Sequence, residues 1–320
     1  MHYEKVFLAI KKQTKLFSFL GVLVFFNLNA QQISFCHLDK TLEEIQSSSI
    51  EWQNYDKPIY EGPDNGIYWF KIKLEDNAPK ILHIPESHVS RANLYHQNKE
   101  IKRETKTRYV TFKIENNRAS NNIYYLKVNC LLEARIPLKI DSPKEYYRTE
   151  IKDFVITSIY TGVVICIIIF NLFLFFSYKN RVYLYYIFMV IGMYLNAFYK
   201  DGISALIFGI KGINETLETT LNEIVVISAV FFCTKYLSLK ENLPKLRLIG
   251  IYVAVLSLTC NILFQLTKNF YLFTITDVLH LLALDVFWFA GVFLWKKSID
   301  ARFFTIAYGI PLLFLSLIHI

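Results

Sequence analysis

Long runs of apolar side chains in the second half of the chain constrain the fold more than any other feature. Residues 151–320 carry 22 charged side chains, whereas residues 1–150 carry 40. A helix that crosses a bilayer needs about 20 predominantly apolar residues. The sequence therefore predicts a polar domain followed by an α-helical transmembrane bundle. It excludes a single soluble enzyme domain, a disordered chain and a coiled coil.

Six segments of the bundle region are apolar and long enough to be candidate membrane spans. The loop between the second and third segments contains a further apolar stretch at residues 203–210, which we expect to be re-entrant or interfacial. The six segments are residues 154–176, 183–199, 217–236, 246–266, 270–295 and 303–320.

The N-terminus predicts export of the polar domain. A basic start, a short apolar core and Ala30 before a polar stretch are typical of a signal peptide over residues 1–30, the alternative being an uncleaved anchor helix. The loop charges agree, because basic side chains concentrate in cytoplasmic loops. We therefore predict a multi-pass membrane protein with an exported N-terminal domain. The inside connections hold Lys179, Arg181, Lys235, Lys240, Lys245, Arg247, Lys296, Lys297 and Arg302, and the outside connections hold Lys200, Lys211 and Lys268.

Residues 31–150 are predicted to form an all-β exported domain, a sandwich or a jelly-roll-like fold. Short alternating segments separated by turn residues are typical of such domains. We expect a short helix at residues 39–49, and a disulfide between Cys36 and Cys130 is one alternative to two separate thiols. The predicted strands are residues 66–74, 80–84, 92–96, 108–114, 122–128 and 135–140.

Three aromatic residues of this domain are candidates for ligand binding. Trp52, Tyr55 and Trp69 lie in an aromatic-rich stretch, and exposed rings of this kind can stack on a sugar or another ring. The alternative is that Tyr68 and Trp69 belong to the core. No motif of a catalytic site or a metal site is present in the sequence, so we expect no cofactor, no metal and no catalysis.

Ionisable side chains within the apolar segments are the other candidates, because such groups are expensive inside a bilayer. Asp277, His280 and Asp285 lie on the fifth segment, and Glu223 lies on the third. Residues three positions apart on a helix can touch, as Asp277 and His280 would. The alternatives are a structural polar lock between helices and a ligand or proton site.

The order of parts resembles the bacterial seven-transmembrane receptors with diverse intracellular signalling modules, 7TMR-DISM. The exported part is similar to that family's second type of extracellular domain. The motifs that carry the resemblance are YWFK at residues 68–71, Leu74, VSRANLY at 89–95, YYLKV at 124–128, PL at 137–138, YTG at 160–162, FNL at 170–172, YKNR at 178–181, YLYY at 183–186 and DG at 201–202.

This resemblance implies a carbohydrate-binding-type sensor domain in the periplasm and a seven-helix bundle in the bacterial inner membrane, coupled to a cytoplasmic output. The sequence departs from the family at its end, with six candidate spans and no output module. The last six residues, LSLIHI at 315–320, can be encoded by a transposon end used in sequencing libraries. We therefore expect a C-terminally truncated fragment whose final residues are adapter-derived, with chance or a true truncation as the alternatives.

The leading functional hypothesis is a membrane signalling receptor fragment that is not itself an enzyme. Its expected partners are the lipid bilayer, a small-molecule or glycan ligand, a cytoplasmic signalling module or response regulator, and a second copy in a homodimer, but no nucleic acid. The alternative is a transporter or channel that uses Glu223, Asp277, His280 and Asp285 as an ion or proton path. An intramembrane enzyme is the least favoured alternative.

Overall fold

The structure is a computed structural model that describes residues 32–47, 49–63, 66–74, 78–87, 89, 91–115, 122–130, 133–209 and 215–318. The predicted signal peptide over residues 1–30 lies outside the described residues. So do residues 319–320 and the side chains of residues 310–318, where the adapter-derived end was predicted. The described chain consists of a β-domain, residues 32–141, followed by helices.

The β-domain contains antiparallel sheets built from short strands. The largest sheet has the order β2-β1-β4-β9-β6-β7, and two smaller sheets have the orders β11-β5-β8 and β10-β3. The strands are β1 (Gln32–His37), β2 (Gln53–Asn54), β3 (Ile59–Pro63), β4 (Ile67–Lys73), β5 (Lys80–Ile84), β6 (Arg91–His96), β7 (Lys99–Ile101), β8 (Val110–Ile114), β9 (Ile123–Asn129), β10 (Glu133–Ile136) and β11 (Lys139–Asp141).

The predicted strands are found, with informative differences. The segment predicted as one strand at residues 135–140 is divided into β10 and β11 around Pro137, because proline has no N–H to donate to a sheet. Four further strands, β1, β2, β3 and β7, were not predicted from the sequence. Strands β2 and β7 have two and three residues, which is too short for alternation to be visible.

The large sheet is covered on both faces. One face packs against the smaller sheets across a core that includes Phe70, Leu126, Leu82 and Phe112. On the other face, Trp69 packs under α1 (Leu42–Ser47), against Cys36 and Ile45. Successive side chains of a strand point to opposite faces of the sheet. Because both faces are covered here, β4 carries buried apolar side chains on both, with Phe70 on one face and Trp69 on the other.

The two cysteines of the β-domain occupy separate clusters. Cys36 belongs to the small cluster under α1, and Cys130 belongs to the main core. Both are buried thiols. Of the two alternatives that the sequence left open, the structure shows the one without a disulfide.

The rest of the described chain is helical. Five helices are long and apolar enough to cross a membrane: α2, α3, α5, α7 and α8. The sixth predicted span falls in α9, and its role as a span stays a prediction. The helices are α2 (Pro143–Tyr178), α3 (Arg181–Lys200), α4 (Ile203–Phe208), α5 (Glu215–Tyr236), α6 (Leu239–Asn242), α7 (Pro244–Thr267), α8 (Phe270–Leu294) and α9 (Ile299–Ile318). An antiparallel β region followed by a helical bundle confirms the predicted fold class.

The helix α2 joins the two parts of the molecule without a break. It starts directly after β11, where Ser142 and Glu145 form a reciprocal capping box and Pro143 occupies the first turn. It then continues for 36 residues to Tyr178, a length of about 54 Å at about 1.5 Å per residue. We call the end of the bundle near Tyr178, away from the β-domain, the distal end.

Candidate functional site

One contact between the β-domain and the bundle is made by a buried arginine, Arg108, which lies just before β8. Its Nε donates a hydrogen bond to the carbonyl oxygen of Asp201, at 2.8 Å. One terminal nitrogen lies 3.6 Å from Asp153 Oδ2 and 3.9 Å from Glu150 Oε1. Because Glu150 and Asp153 belong to α2 and Asp201 follows α3, this side chain connects the β-domain to two helices at once.

The backbone of the same region also makes a close contact. Gly202 follows Asp201 with a φ of +68°, and a Cβ built on it would lie 2.5 Å from the carbonyl oxygen of Arg108. Only glycine adopts this conformation at little cost and leaves room for the neighbouring main chain. Burial raises the pKa of the Asp201 carboxyl, while the charge of Arg108 acts in the opposite direction.

A second contact between the β-domain and α2 is built from aromatic and polar groups. His83 Nε2 on β5 lies 2.8 Å from Asp141 Oδ2 on β11. The His83 ring meets Tyr146 of α2 edge-to-face at a centroid distance of 5.0 Å, and the Tyr146 hydroxyl lies 3.4 Å from Thr111 Oγ1. The hydrogen bond from His83 lowers the pKa of Asp141. We call these two contacts together the junction.

The residues of the junction were not predicted as a site from the sequence. Arg108 was predicted as the first residue of a strand, but the strand starts at Val110. The pair Asp201 and Gly202 was noted only as a motif of the family resemblance. The contact joins residues 93 positions apart, and neither composition nor periodicity relates such distant positions.

A polar cluster lies inside the bundle, on facing sides of α5, α7 and α8. His280 Nε2 lies 3.0 Å from Glu223 Oε2, and the Ser257 hydroxyl donates to the same carboxylate oxygen at 3.1 Å. Asp277 Oδ1 lies 3.8 Å from His280 Nδ1. The structure thus brings together three of the four intramembrane residues named from the sequence.

The fourth residue, Asp285, stands apart from this cluster. It is part-exposed on α8 and forms no hydrogen bond or salt bridge with Glu223, Asp277 or His280. It lies five residues beyond His280, a rotation of about 140° on a helix. The residues around Asp285 in the sequence are apolar on every side, so they do not show which face of α8 contacts the other helices. Only the packing of the bundle shows that Asp285 lies outside the polar cluster.

Further polar contacts continue the cluster toward the β-domain side of the bundle. They join α3, α5 and α7 through amide and hydroxyl groups and one ion pair, interactions of the kind that link helices inside a membrane. They are Asn196 to Asn222, Asn261 to the carbonyl oxygen of Thr219, Gln265 to Thr220, and the ion pair between Lys200 and Glu218. In the part of the chain that the structure describes, no group of three or more His, Cys, Asp or Glu side chains could hold a metal ion.

The three predicted ligand-binding aromatics have different environments. Trp69 is buried under α1. The Tyr55 hydroxyl accepts from the Leu138 amide and donates to the carbonyl oxygen of Ile136, both at 2.8 Å, and burial raises the pKa of Tyr55 to about 12. Trp52 is part-exposed. Of the three residues, Trp69 is buried, whereas Tyr55 and Trp52 are both part-exposed.

The surroundings of Trp52 are aromatic and cationic. Its ring lies 6.3 Å from that of Tyr125, and Lys71 Nζ lies 5.8 Å from its centroid. Elsewhere on the β-domain, a polar cleft of about 590 Å³ is lined by His96 and Tyr124, whose rings stack at 4.4 Å, together with charged side chains. The charged lining residues are Lys102, Glu104, Lys113 and Glu115.

Comparison with known proteins identifies the bundle. The model of the family described as 7TM diverse intracellular signalling, 7TMR-DISM_7TM, matches residues 153–320, just over half of the chain. Searches of curated proteins and of solved structures found no match. The matched family is a sensory receptor domain rather than a catalytic one. Together with the five apolar helices, the match shows that this multi-pass membrane protein belongs to the 7TM diverse intracellular signalling family of receptors.

Proposed function

We propose that this receptor senses a ligand with its β-domain on the periplasmic side of a bacterial inner membrane. The bundle then relays the signal to a cytoplasmic signalling module or response regulator, with a homodimer as the working unit. The observation that carries the proposal is the junction. Arg108 ties the β-domain both to α2 and to the residue that follows α3, so a movement of the β-domain displaces two membrane helices.

The arrangement of the loops supports the proposed orientation. Asp201, in a loop predicted to be outside, lies against the β-domain. Lys179, Arg181 and Lys235, predicted to be inside, line a single cleft at the distal end. Basic side chains gathered at the end opposite an exported domain follow the positive-inside rule.

The relay requires that ligand binding distinguishes two states of the bundle, because a ligand shifts an equilibrium only by its difference in affinity. In such a relay the continuous helix α2 would act as a rigid element. The polar side chains between α3, α5, α7 and α8 would exchange hydrogen-bond partners when the bundle changes state. On this proposal no residue of the described chain performs catalysis.

For the ligand we propose a carbohydrate that stacks on Trp52. The part-exposed indole beside Tyr125 offers a flat apolar face, and Lys71 gives the same surface a positive charge. Aromatic faces bury a large area at a small entropy cost. Tyr55 and Trp69 would act on this surface through packing and not by direct contact.

The test uses the full chain in nanodiscs and a glycan array. We expect Trp52→Ala to abolish binding of the glycan that the wild type retains. Tyr60→Ala, which removes an exposed ring from β3, should leave binding unchanged. Retention of no glycan by the wild type, or equal retention by both variants, would contradict the carbohydrate proposal.

The relay is tested separately with nitroxide labels at positions 178 and 299, which are exposed near the distal end. We expect the bound glycan to change the distance between the labels, measured by electron–electron double resonance. Arg108→Ala should remove that change while glycan binding is kept. A change of distance that is equal in the variant would show that the junction is not the relay.

The cluster of Glu223, Ser257, Asp277 and His280 favours a second candidate function, a proton or ion path through the bundle. Proteoliposomes that contain a pH-sensitive dye test it. Proton flux that depends on the protein and is lost in Glu223→Gln would support a transporter. Lack of flux above that of empty liposomes would leave the cluster as a polar lock between helices.

A further inference from the structure

A groove runs along the bundle between α5 and α7 and opens toward the surrounding bilayer. Its volume is about 200 Å³. Three of the side chains that line it, Phe231, Val255 and Leu258, are 53%, 56% and 37% exposed. Because large apolar side chains at this depth face lipid, the groove is accessible from the hydrocarbon region.

Two polar side chains lie at one end of this apolar groove. Thr234 is near the end of α5, and Arg247 is near the start of α7, so both lie toward the distal end. Thr234 Oγ1 and Arg247 Nε are buried, and neither has a hydrogen-bond partner among the described residues. Buried polar groups in proteins are almost always hydrogen-bonded, so this pair leaves hydrogen-bonding capacity at the polar end of the groove that the described chain does not use.

The charge around the polar end favours an anionic partner. Arg247 forms no salt bridge with any residue in the described ranges. The next residue after Thr234 is Lys235, which lines a neighbouring cleft with Lys179 and Arg181 and without a carboxylate. The Tyr185 ring of that cleft stacks on Phe231 of the groove at 5.3 Å. A region with this excess of cations attracts phosphate groups.

We propose that this groove binds one anionic phospholipid from the membrane leaflet at the distal end. The phosphate pairs with the guanidinium of Arg247 at the polar end of the groove, beside Thr234, and one acyl chain lies along the groove. The rise along α7 from Arg247 to Leu258 is about 16 Å at about 1.5 Å per residue. One leaflet of the hydrocarbon core is about 15 Å thick, so the groove extends from the headgroup level to the middle of the bilayer.

The experiment is native mass spectrometry of the full chain, titrated with phosphatidylglycerol or phosphatidylcholine that carry the same acyl chains. We expect the first phosphatidylglycerol to bind at least tenfold more tightly than phosphatidylcholine. Arg247→Gln should remove that preference. Lys245→Gln is the matched control, because it removes the same charge from an exposed position two residues away and should change the affinity less than twofold.

A second pair of variants tests the acyl-chain part of the groove without a change of charge. Val255→Trp fills the groove and should weaken phosphatidylglycerol binding about tenfold. Ile262→Trp adds the same bulk at another lipid-facing position of α7 and should leave it unchanged. This pair keeps the proposal testable if Arg247→Gln does not fold.

Two outcomes would overturn the proposal. Equal binding of both lipids that is insensitive to Arg247→Gln would show only general contact with the bilayer. Displacement of phosphatidylglycerol by inorganic phosphate, with equal affinities, would show an anion site that does not use the acyl chain. Retained lipid preference together with failure of phosphate to compete supports a phospholipid site.

Discussion

The guanidinium of Arg108 and the main-chain oxygen of Asp201 hold the β-domain against the membrane bundle. The hydrogen bond is 2.8 Å long and joins residues 93 positions apart. The Arg108 side chain is almost fully buried and is also close to two carboxylates of α2. A buried cation in this position orders three separate segments, so its loss should affect the junction more than any single strand.

We expect Arg108→Ala to loosen the junction by about 1–3 kcal/mol, because the carbonyl oxygen of Asp201 loses its donor. Hydrogen exchange of the Gly202 and Ala205 amides, which bond within the turn after α3, should become about tenfold or more faster. Arg135→Ala is the matched control, since Arg135 pairs with Glu86 at a half-exposed site of the β-domain. Unchanged exchange in Arg108→Ala would show that the contact contributes no stability.

Substitution of Gly202 by alanine should destabilise the protein more than the same substitution at Gly209. Both glycines have a positive φ, but a Cβ at Gly202 would meet the Arg108 carbonyl, whereas a Cβ at Gly209 would meet nothing within 4 Å. A left-handed alanine costs about 1–2 kcal/mol at either position, and only Gly202→Ala adds a clash. Unfolding in dodecyl sulfate micelles, followed by circular dichroism, measures the difference. Equal losses of stability in the two variants would mean that the main chains at Gly202 and Arg108 move apart at no energetic cost.

Removal of the Tyr55 hydroxyl should weaken the protection of one backbone amide, that of Leu138. In Tyr55→Phe the buried N–H of Leu138 loses its acceptor, at a cost of about 1–3 kcal/mol. Hydrogen exchange at Leu138 should therefore be about tenfold or more faster. Tyr60→Phe, at an exposed position, should leave that amide unchanged, and equal rates in the two variants would contradict the prediction.

The pair of His83 and Asp141 predicts a dependence on acidic pH. The hydrogen bond lowers the Asp141 pKa below its ordinary value of 3.8, so the folded state favours the ionised carboxyl. The stabilisation is complete above that ordinary value and is lost as the pH falls through the lower, folded-state pKa. The difference in thermal unfolding temperature between the wild type and Asp141→Asn should therefore be larger above the ordinary pKa of 3.8 than in strong acid, where it shrinks. Asp56→Asn, at an exposed position, should show no such change, and a gap that widens in acid would contradict the assignment.

Glu223 should matter more to the stability of the bundle than Asp285. Glu223→Ala leaves both His280 and Ser257 without their shared partner, a loss of about 1–3 kcal/mol. Asp285→Ala removes a carboxylate that shares no contact with this cluster and should change stability by less than about 0.5 kcal/mol. Unfolding in dodecyl sulfate micelles compares the two. A larger loss for Asp285→Ala would show that the polar cluster is not what holds α5, α7 and α8 together.

The sequence by itself determined the order of the parts and the type of those elements that carry a strong local pattern. Apolar runs mark α2, α3, α5, α7 and α8, because a bilayer requires such runs whatever the neighbouring helices are. Alternation marks β4, β8 and β9, since successive side chains of a strand face opposite sides. These are local signals, and the residues that produce them are adjacent in the chain.

Only the tertiary structure decided which side chains meet. Asp277, His280 and Asp285 lie on one helix, yet the packing of α5 and α7 against α8 selects His280 and Asp277 for the cluster with Glu223 and leaves Asp285 outside it. Trp69 and Trp52 lie in the same aromatic-rich stretch of the sequence. In the structure α1 covers Trp69, whereas Trp52 is part-exposed. Arg108 reaches Asp201 and Gly202 because the β-domain rests on the bundle, and the relative position of two separately folded units is not encoded in the periodicity of either.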